Sequence, residues 1–270
     1  MTGIYPAIYL AICILFFAAC GDKKAGNTSG STDTVVYTYQ KFNQRDTTCG
    51  NNPDSACTIV KVTYPEFKGM DVLNDSIARK VIGYFAVKPN RSDSSYDQLA
   101  ANFISVYHNF KKVQPKSTLY YLIDAKAKVF KQDSALLTLK ISGYTYHGGG
   151  HGVEYTAYMN WDTKANKPVS LSDIFAKNYA DSLNKIGEQI FRKNEKLADT
   201  ARLYNGRTYF FRDNKFALPD NYIIGEKGIT FLYNVYTIKP YAAGKTELFI
   251  PYKDIKHLLR PNSVVNQYMK

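Results

Sequence analysis

Complete catalytic signatures are missing from this sequence. No cysteine stands in a Cys-x-x-Cys pair, which removes the usual half of a structural zinc site. No serine occupies a Gly-x-Ser-x-Gly elbow, so the nucleophile of lipase and esterase chemistry is lacking. His147 and His151 are four residues apart, as in His-Glu-x-x-His proteases, but no glutamate lies between them. The three glycines that do lie there disfavour the required helix by about 1 kcal/mol each relative to alanine. No internal repeat is visible, no cofactor motif is complete, and the expectation is a protein without catalytic residues, metal or cofactor.

Charge is absent from residues 1–19, "MTGIYPAIYLAICILFFAA". The apolar run from Ala7 to Ala19 is short for a bilayer span and sits where an export signal belongs. It ends at Ala18-Ala19-Cys20-Gly21, which resembles the lipobox of bacterial lipoproteins, in which the thiol is acylated and becomes the new N-terminus. Phe17 stands where that motif usually has leucine, and no Lys or Arg opens the segment. A short N-terminal membrane helix or an ordinary cleaved signal are the alternatives. Residues 20–33 are small and polar, with nothing larger than alanine to bury, and read as a flexible tether. The expected product is exported and held on the bacterial membrane through Cys20, facing the periplasm or the cell surface.

Only four cysteines are present. Cys13 leaves with the signal and Cys20 is the anchor candidate. Cys49 and Cys57 flank "GNNPDSA" between two strand-like runs, and in an exported chain they read as a disulfide across a hairpin loop.

Abundance lies elsewhere, in 23 tyrosines and a net charge of +12. The positive charge is spread along the chain, as on a solvated face. For an exported protein it suits acidic envelope partners better than nucleic acid, for which no recognition module is visible.

Alternation marks 35–42 and 58–64 as strands. Leu73, Ile77, Val81 and Phe85 recur at intervals of four, the stripe of a helix. A second helix is expected from Ser94 to Lys112, capped by Ser95 and burying Leu99, Phe103, Val106 and Phe110. Strands follow at 118–132, 134–146 and 153–163. A helical turn at 170–175, a helix at 179–196, a hairpin turning at Glu226 to Gly228 and a strand at 246–251 complete the pattern. This order predicts an α+β fold of antiparallel sheets with helices packed on one face, in two abutting subdomains. The expected boundaries are 34–142 for the N-terminal subdomain, 143–260 for the C-terminal one, and 261–270 for a tail.

The series "GYTYHGGGHGVEYTAYMNWDTKANKPVSLSDIF" and "FALPDNYIIGEKGITFLYNVYTIKPYAAGKTELFIPYKDIKHLL" resembles the domain of unknown function at the C-terminal end of lysozyme-sensing anti-sigma factors of the RsiV type. Its motifs are Gly-Gly-x-His-Gly, Leu-Ser-Asp-Ile-Phe and Tyr-x-Ile-x-Pro-Tyr-Ala-x-Gly. Residues 34 to about 140 resemble the companion domain that precedes the catalytic domain of some peptidoglycan deacetylases. The resemblance implies an envelope role with peptidoglycan, a glycan or a lysozyme-like protein as partner. Departures accompany it: a tether stands where the anti-sigma factors have a membrane helix, Thr237 replaces a frequent glutamate, and +12 repels a basic lysozyme.

Two surfaces are candidates for binding. The first is "YTYHGGGHG", His147, Gly148, Gly149, Gly150 and His151, whose glycines read as a turn needing positive φ and whose neighbours Tyr144, Tyr146, Tyr155 and Trp161 offer a stacking face. The second is "YTIKPYAAGKTE", with Tyr236 and Tyr241 projecting from a turn shaped by Pro240 and Gly244. The alternative activity is an envelope-polymer hydrolase using His147 or His151 as base or ligand.

Overall fold

"YTYQKFNQR" and "IVKVTYPEF" each place alternate residues on one side, so they need a sheet to join. In the computed structural model, which describes residues 35–86 and 93–269, they become β1 (Tyr37–Arg45) and β2 (Ile59–Phe67), paired antiparallel. The loop between them carries the expected disulfide, Cys49 to Cys57, with Cα atoms 5.4 Å apart. Asp46 is buried under this loop, accepting from the Thr48 amide at 3.1 Å and approached by His108 Nε2 at 2.9 Å.

Helix α1 (Asp71–Phe85) buries the stripe Leu73, Ile77, Val81 and Phe85. Helix α2 (Tyr96–Val113) starts at Ser95, whose hydroxyl accepts from the Gln98 amide at 3.2 Å, and buries Leu99 and Phe103. Each fully buried Leu, Ile or Phe contributes about 1.5–3 kcal/mol, against about 1 kcal/mol for the cap, so the stripes fix the helices and the cap fixes where α2 begins.

The two helices carry the chain back across the sheet, so β3 (Leu122–Gln132) lies parallel to β2. The α+β class and the helix layer are as expected, while the sheet is mixed rather than wholly antiparallel. Strands β4 (Leu136–Tyr146), β5 (Val153–Asp162) and β6 (Lys167–Pro168) then add antiparallel, giving the order β1-β2-β3-β4-β5-β6.

A second core gathers behind α3 (Leu171–Ile174) and α4 (Tyr179–Asn194), under a three-stranded antiparallel sheet of β7 (Tyr222–Ile224), β8 (Gly228–Tyr233) and β9 (Thr246–Pro251), with α5 (Tyr252–Ile255) closing it. Phe191 of α4 meets Phe211 edge-on at 5.2 Å. The boundary expected at 142/143 falls inside β4, whose ladder with β5 runs unbroken from Leu136 to Thr145. One core ends in sequence at Trp161 and the other resumes at Val169, joined by Leu136. Residues beyond 260, expected as a tail, include a 3-10 helix at Val264–Tyr268 whose Val265 is fully buried. From Asp33 to Lys270 the chain is one compact unit.

Because β6 pairs only with Trp161 and Asp162, the outer edge of β5 lacks a strand partner at Thr156 and Tyr158. An unpaired buried main chain is costly, and here two asparagines satisfy it, Asn221 and Asn234. Asn221 Oδ1 accepts from the Tyr158 amide at 2.9 Å and its Nδ2 donates to the Thr156 carbonyl at 2.8 Å. Asn160 sends its amide to the Tyr222 carbonyl at 2.9 Å. Side-chain amides thus join the two sheets where a ladder would otherwise continue.

Candidate functional site

The hairpin from β4 to β5 turns through residues 147–152. Gly148 and Gly149 have φ of 81° and 95°, positions that favour glycine. Gly152 is required for a different reason: a Cβ there would lie 2.3 Å from Tyr144 Cζ. The Gly152 amide donates to the Tyr144 hydroxyl at 2.9 Å, pinning the turn to its own strand. Gly150 has open space around it and an ordinary φ.

The two histidines of the turn go to different places. His147 is exposed as a residue, yet its ring packs against Phe103 at 5.2 Å and Tyr121 at 5.4 Å, and that desolvation lowers its pKa below the usual 6.5. His151 instead stacks on Tyr241, with ring centres 4.7 Å apart and planes inclined by 26°. Tyr241 in turn meets Tyr236 at 5.3 Å. The two surfaces read separately in the sequence therefore form one aromatic tier of His151, Tyr241 and Tyr236, while His147 stands apart from it.

Tyr236 has φ of 64°, a left-handed backbone that costs a bulky residue about 1–2 kcal/mol. Its side chain is nonetheless half exposed, at 51%. Strain stored in an exposed aromatic is not explained by the core. The segment carrying it is clamped to β5 at both ends, by Asn234 on the Thr156 main chain and by Lys245 Nζ on Thr156 Oγ1 at 2.9 Å.

Beside the tier, the face of the six-stranded sheet opposite the helices holds a shallow cavity of ≈ 240 Å³. Alternation along the strands puts Asp124 and Lys126 of β3, Ser142 and Tyr144 of β4, and Glu154 and Thr156 of β5 on its floor, with Lys245 as a wall. Lys126 pairs with Asp124 at 3.3 Å and Lys245 with Glu154 at 3.4 Å. The floor therefore offers hydroxyls and balanced ion pairs rather than a free charge of one sign.

Of the other aromatic neighbours, Trp161 is fully buried and Tyr155 meets Phe85 edge-on at 6.1 Å on the helix side, so neither is available for stacking. Tyr146 lies against Tyr120 at 5.3 Å. Sequence reading missed Asp124, Lys126, Ser142, Thr156 and Lys245. The alternation of β3 to β5 marks an open polar face there, but only the fold shows that a distant segment walls it. Cys20 lies outside the described residues, as do the expected signal and the whole of the tether. Among the described residues no three His, Cys, Asp or Glu side chains converge as metal ligands, and no helix is long and apolar enough to cross a membrane.

Residues 172–253 match the family described as protein of unknown function (DUF3298). That stretch holds most of the second core and brings Tyr236, Tyr241 and Lys245 to the site, whereas the glycine turn precedes it. A DUF3298 family member from Bacteroides fragilis NCTC 9343 is similar in structure, with a TM-score of 0.63 at 19% identity over 87% of this chain and 98% of that one. A DUF3298 family protein from Pseudomonas aeruginosa PAO1 gives 0.60 at 19% identity, covering 85% and 96%. At such identity these likenesses concern the fold alone, and they extend it well beyond the matched domain. No curated protein matches the chain.

Proposed function

We propose that this chain is a non-catalytic binding module of the bacterial cell envelope, exported and anchored through an acylated Cys20, and that it takes a glycan of the peptidoglycan type on the His151–Tyr241–Tyr236 tier. The observation that carries the reading is the strained, half-exposed Tyr236 set against Tyr241 on the same segment whose Lys245 walls a hydroxyl-lined cavity. Sugars present an apolar C–H face and a ring of hydroxyls. An exposed aromatic tier suits the first, and Ser142, Tyr144, Thr156 and the paired Asp124, Glu154, Lys126 and Lys245 suit the second. The likeness to the anti-sigma and deacetylase companion domains agrees with an envelope role. The hydrolase alternative loses support because His147 and His151 have separate surroundings.

Titration of soluble peptidoglycan fragments into the unit from Asp33 to Lys270 tests the reading. Tyr241→Ala is expected to weaken binding by roughly tenfold or more, as loss of one aromatic anchor does. Fragment binding of equal strength in wild type and Tyr241→Ala, or none in wild type, would sink it.

A further inference from the structure

We propose a second site, independent of the aromatic tier, in which Arg202 and Arg212 grip the oxyanion of a phosphate ester. Both line a cavity of ≈ 480 Å³ together with Tyr204, Asp213 and Asn214, on the connection between α4 and β7. That connection contains a small hairpin-like turn between Leu203 and Phe211. Tyr204 bridges Phe210, and the Phe211 amide donates to the Leu203 carbonyl at 3.1 Å. Arg202 and Arg212 follow these paired residues outward on the two limbs and line the same cavity. Like charges sharing one cavity repel, and neither guanidinium has an ion pair or side-chain hydrogen bond among the described residues to offset this.

The hairpin is built to hold this arrangement. Leu203 and Phe211, the residues next to the arginines, are buried in the second core. Asn214 Oδ1 accepts from the Leu203 amide at 2.7 Å and the Tyr204 amide at 2.9 Å. Asp213 and Asn214 both take left-handed backbone, φ 53° and 58°, so the turn after Arg212 is strained as well as pinned. Asn205 caps the far end, accepting from the amides of Arg207 and Thr208 at 3.0 and 2.7 Å. Two unpaired guanidiniums on a rigid frame match the several oxygens of a phosphate, which planar forks bind bidentately. Asp213, the only carboxylate on the lining, forms no ion pair with either arginine and tempers the site's charge.

A phosphate ester of an envelope polymer and a phospholipid headgroup present the same oxyanion, and the probes separate them. Binding of the unit from Asp33 to Lys270 is measured with inorganic phosphate and with vesicles of phosphatidylglycerol in phosphatidylcholine, phosphatidylcholine alone serving as blank. Arg202→Gln/Arg212→Gln is expected to lose roughly tenfold or more in affinity, whereas Lys128→Gln/Lys140→Gln, which removes equal charge from the open sheet face, keeps most of it. Asp213→Asn, which tolerates the same backbone, is expected to tighten binding. Vesicle binding that inorganic phosphate does not displace, but that the arginine variant abolishes, assigns the headgroup; displacement by phosphate assigns the oxyanion itself. Equal losses in the arginine and lysine variants, or no binding of either probe by wild type, overturn the proposal.

Discussion

The side-chain amide of Asn234 pairs with both main-chain groups of Thr156: Oδ1 accepts from its amide and Nδ2 donates to its carbonyl, each at 2.9 Å. A polar side chain here does the work of a neighbouring strand. With Asn221 it closes the edge of β5, and it also fixes one end of the segment that brings Tyr236 and Tyr241 to the site. Replacing Asn221, which is buried, by leucine leaves the Tyr158 amide unpaired and the Thr156 carbonyl with Asn234 as its one donor. The expected cost is about 1–3 kcal/mol, read from urea denaturation, with faster hydrogen exchange at the Tyr158 amide. An unchanged midpoint would mean that water replaces the asparagine at no cost.

Tyr236 separates binding from stability. Asparagine tolerates left-handed backbone far better than tyrosine, so Tyr236→Asn relieves strain while losing the contact with Tyr241. Stability is expected to stay within about 1 kcal/mol of wild type, while fragment binding falls. A large drop in melting temperature would show that Tyr236 serves the core after all.

Glycines of the turn differ in what they are for. Gly152→Ala drives a Cβ to 2.3 Å from Tyr144 Cζ and 2.4 Å from the Thr145 carbonyl, which the hairpin cannot absorb without shifting. A loss of about 2 kcal/mol or more is expected, of the order seen for overpacking. Gly150→Ala meets nothing within 4 Å and is expected to be neutral or slightly stabilising. Thermal melts of the two variants side by side check this ordering.

Much of this architecture could be read from residue patterns because local chemistry dictates it. Leu73, Ile77, Val81 and Phe85 repeat at helical spacing and all four are buried; Ser95 caps α2; Cys49 and Cys57 close the loop between two paired strands. What escaped depends on residues far apart in sequence. His151 and Tyr241 stack across 90 residues, and nothing local announces that contact. The parallel pairing of β2 with β3 follows from the route of α1 and α2, not from any strand pattern. Asn221 and Asn234 look like turn residues, since only a neighbouring strand edge turns their amides into structural partners. The aromatic run around Phe211 shows no period because it packs as loops against Phe191.

Acid should loosen the first core in two stages. Burial lowers the His147 pKa, so the unfolded chain takes up its proton first, and stability begins to fall as pH drops below about 6.5. For Asp46 burial pushes the pKa up, but hydrogen bonds from Thr48 and His108 outweigh it and hold the carboxyl below its usual 3.8. Its contribution is present above about pH 4 and lost as pH falls through the folded value. Urea midpoints against pH are expected to show both limbs. His147→Gln should flatten the upper one and Asp46→Asn the lower one; a curve unchanged by either variant would refute the assignment.

Removal of the disulfide tests whether the β1–β2 loop is a stabilising clip or a condition of folding. Closing so short a loop contributes roughly 2–3 kcal/mol by the chain-entropy estimate. Other anchors of the loop survive the change: Asp46 with His108, Asp54 with Arg45, and Asp54 with Lys61 at 2.6 Å. The second core, built around Phe191 and Phe231, makes no use of this loop. Cys49→Ser/Cys57→Ser is therefore expected to fold, to lose about that much in urea denaturation, and to show faster hydrogen exchange confined to residues 46–58 and β1. Exchange that also quickens in β8 and β9 would mean that the two cores unfold as one, and that the loop's grip reaches the wall of the candidate site.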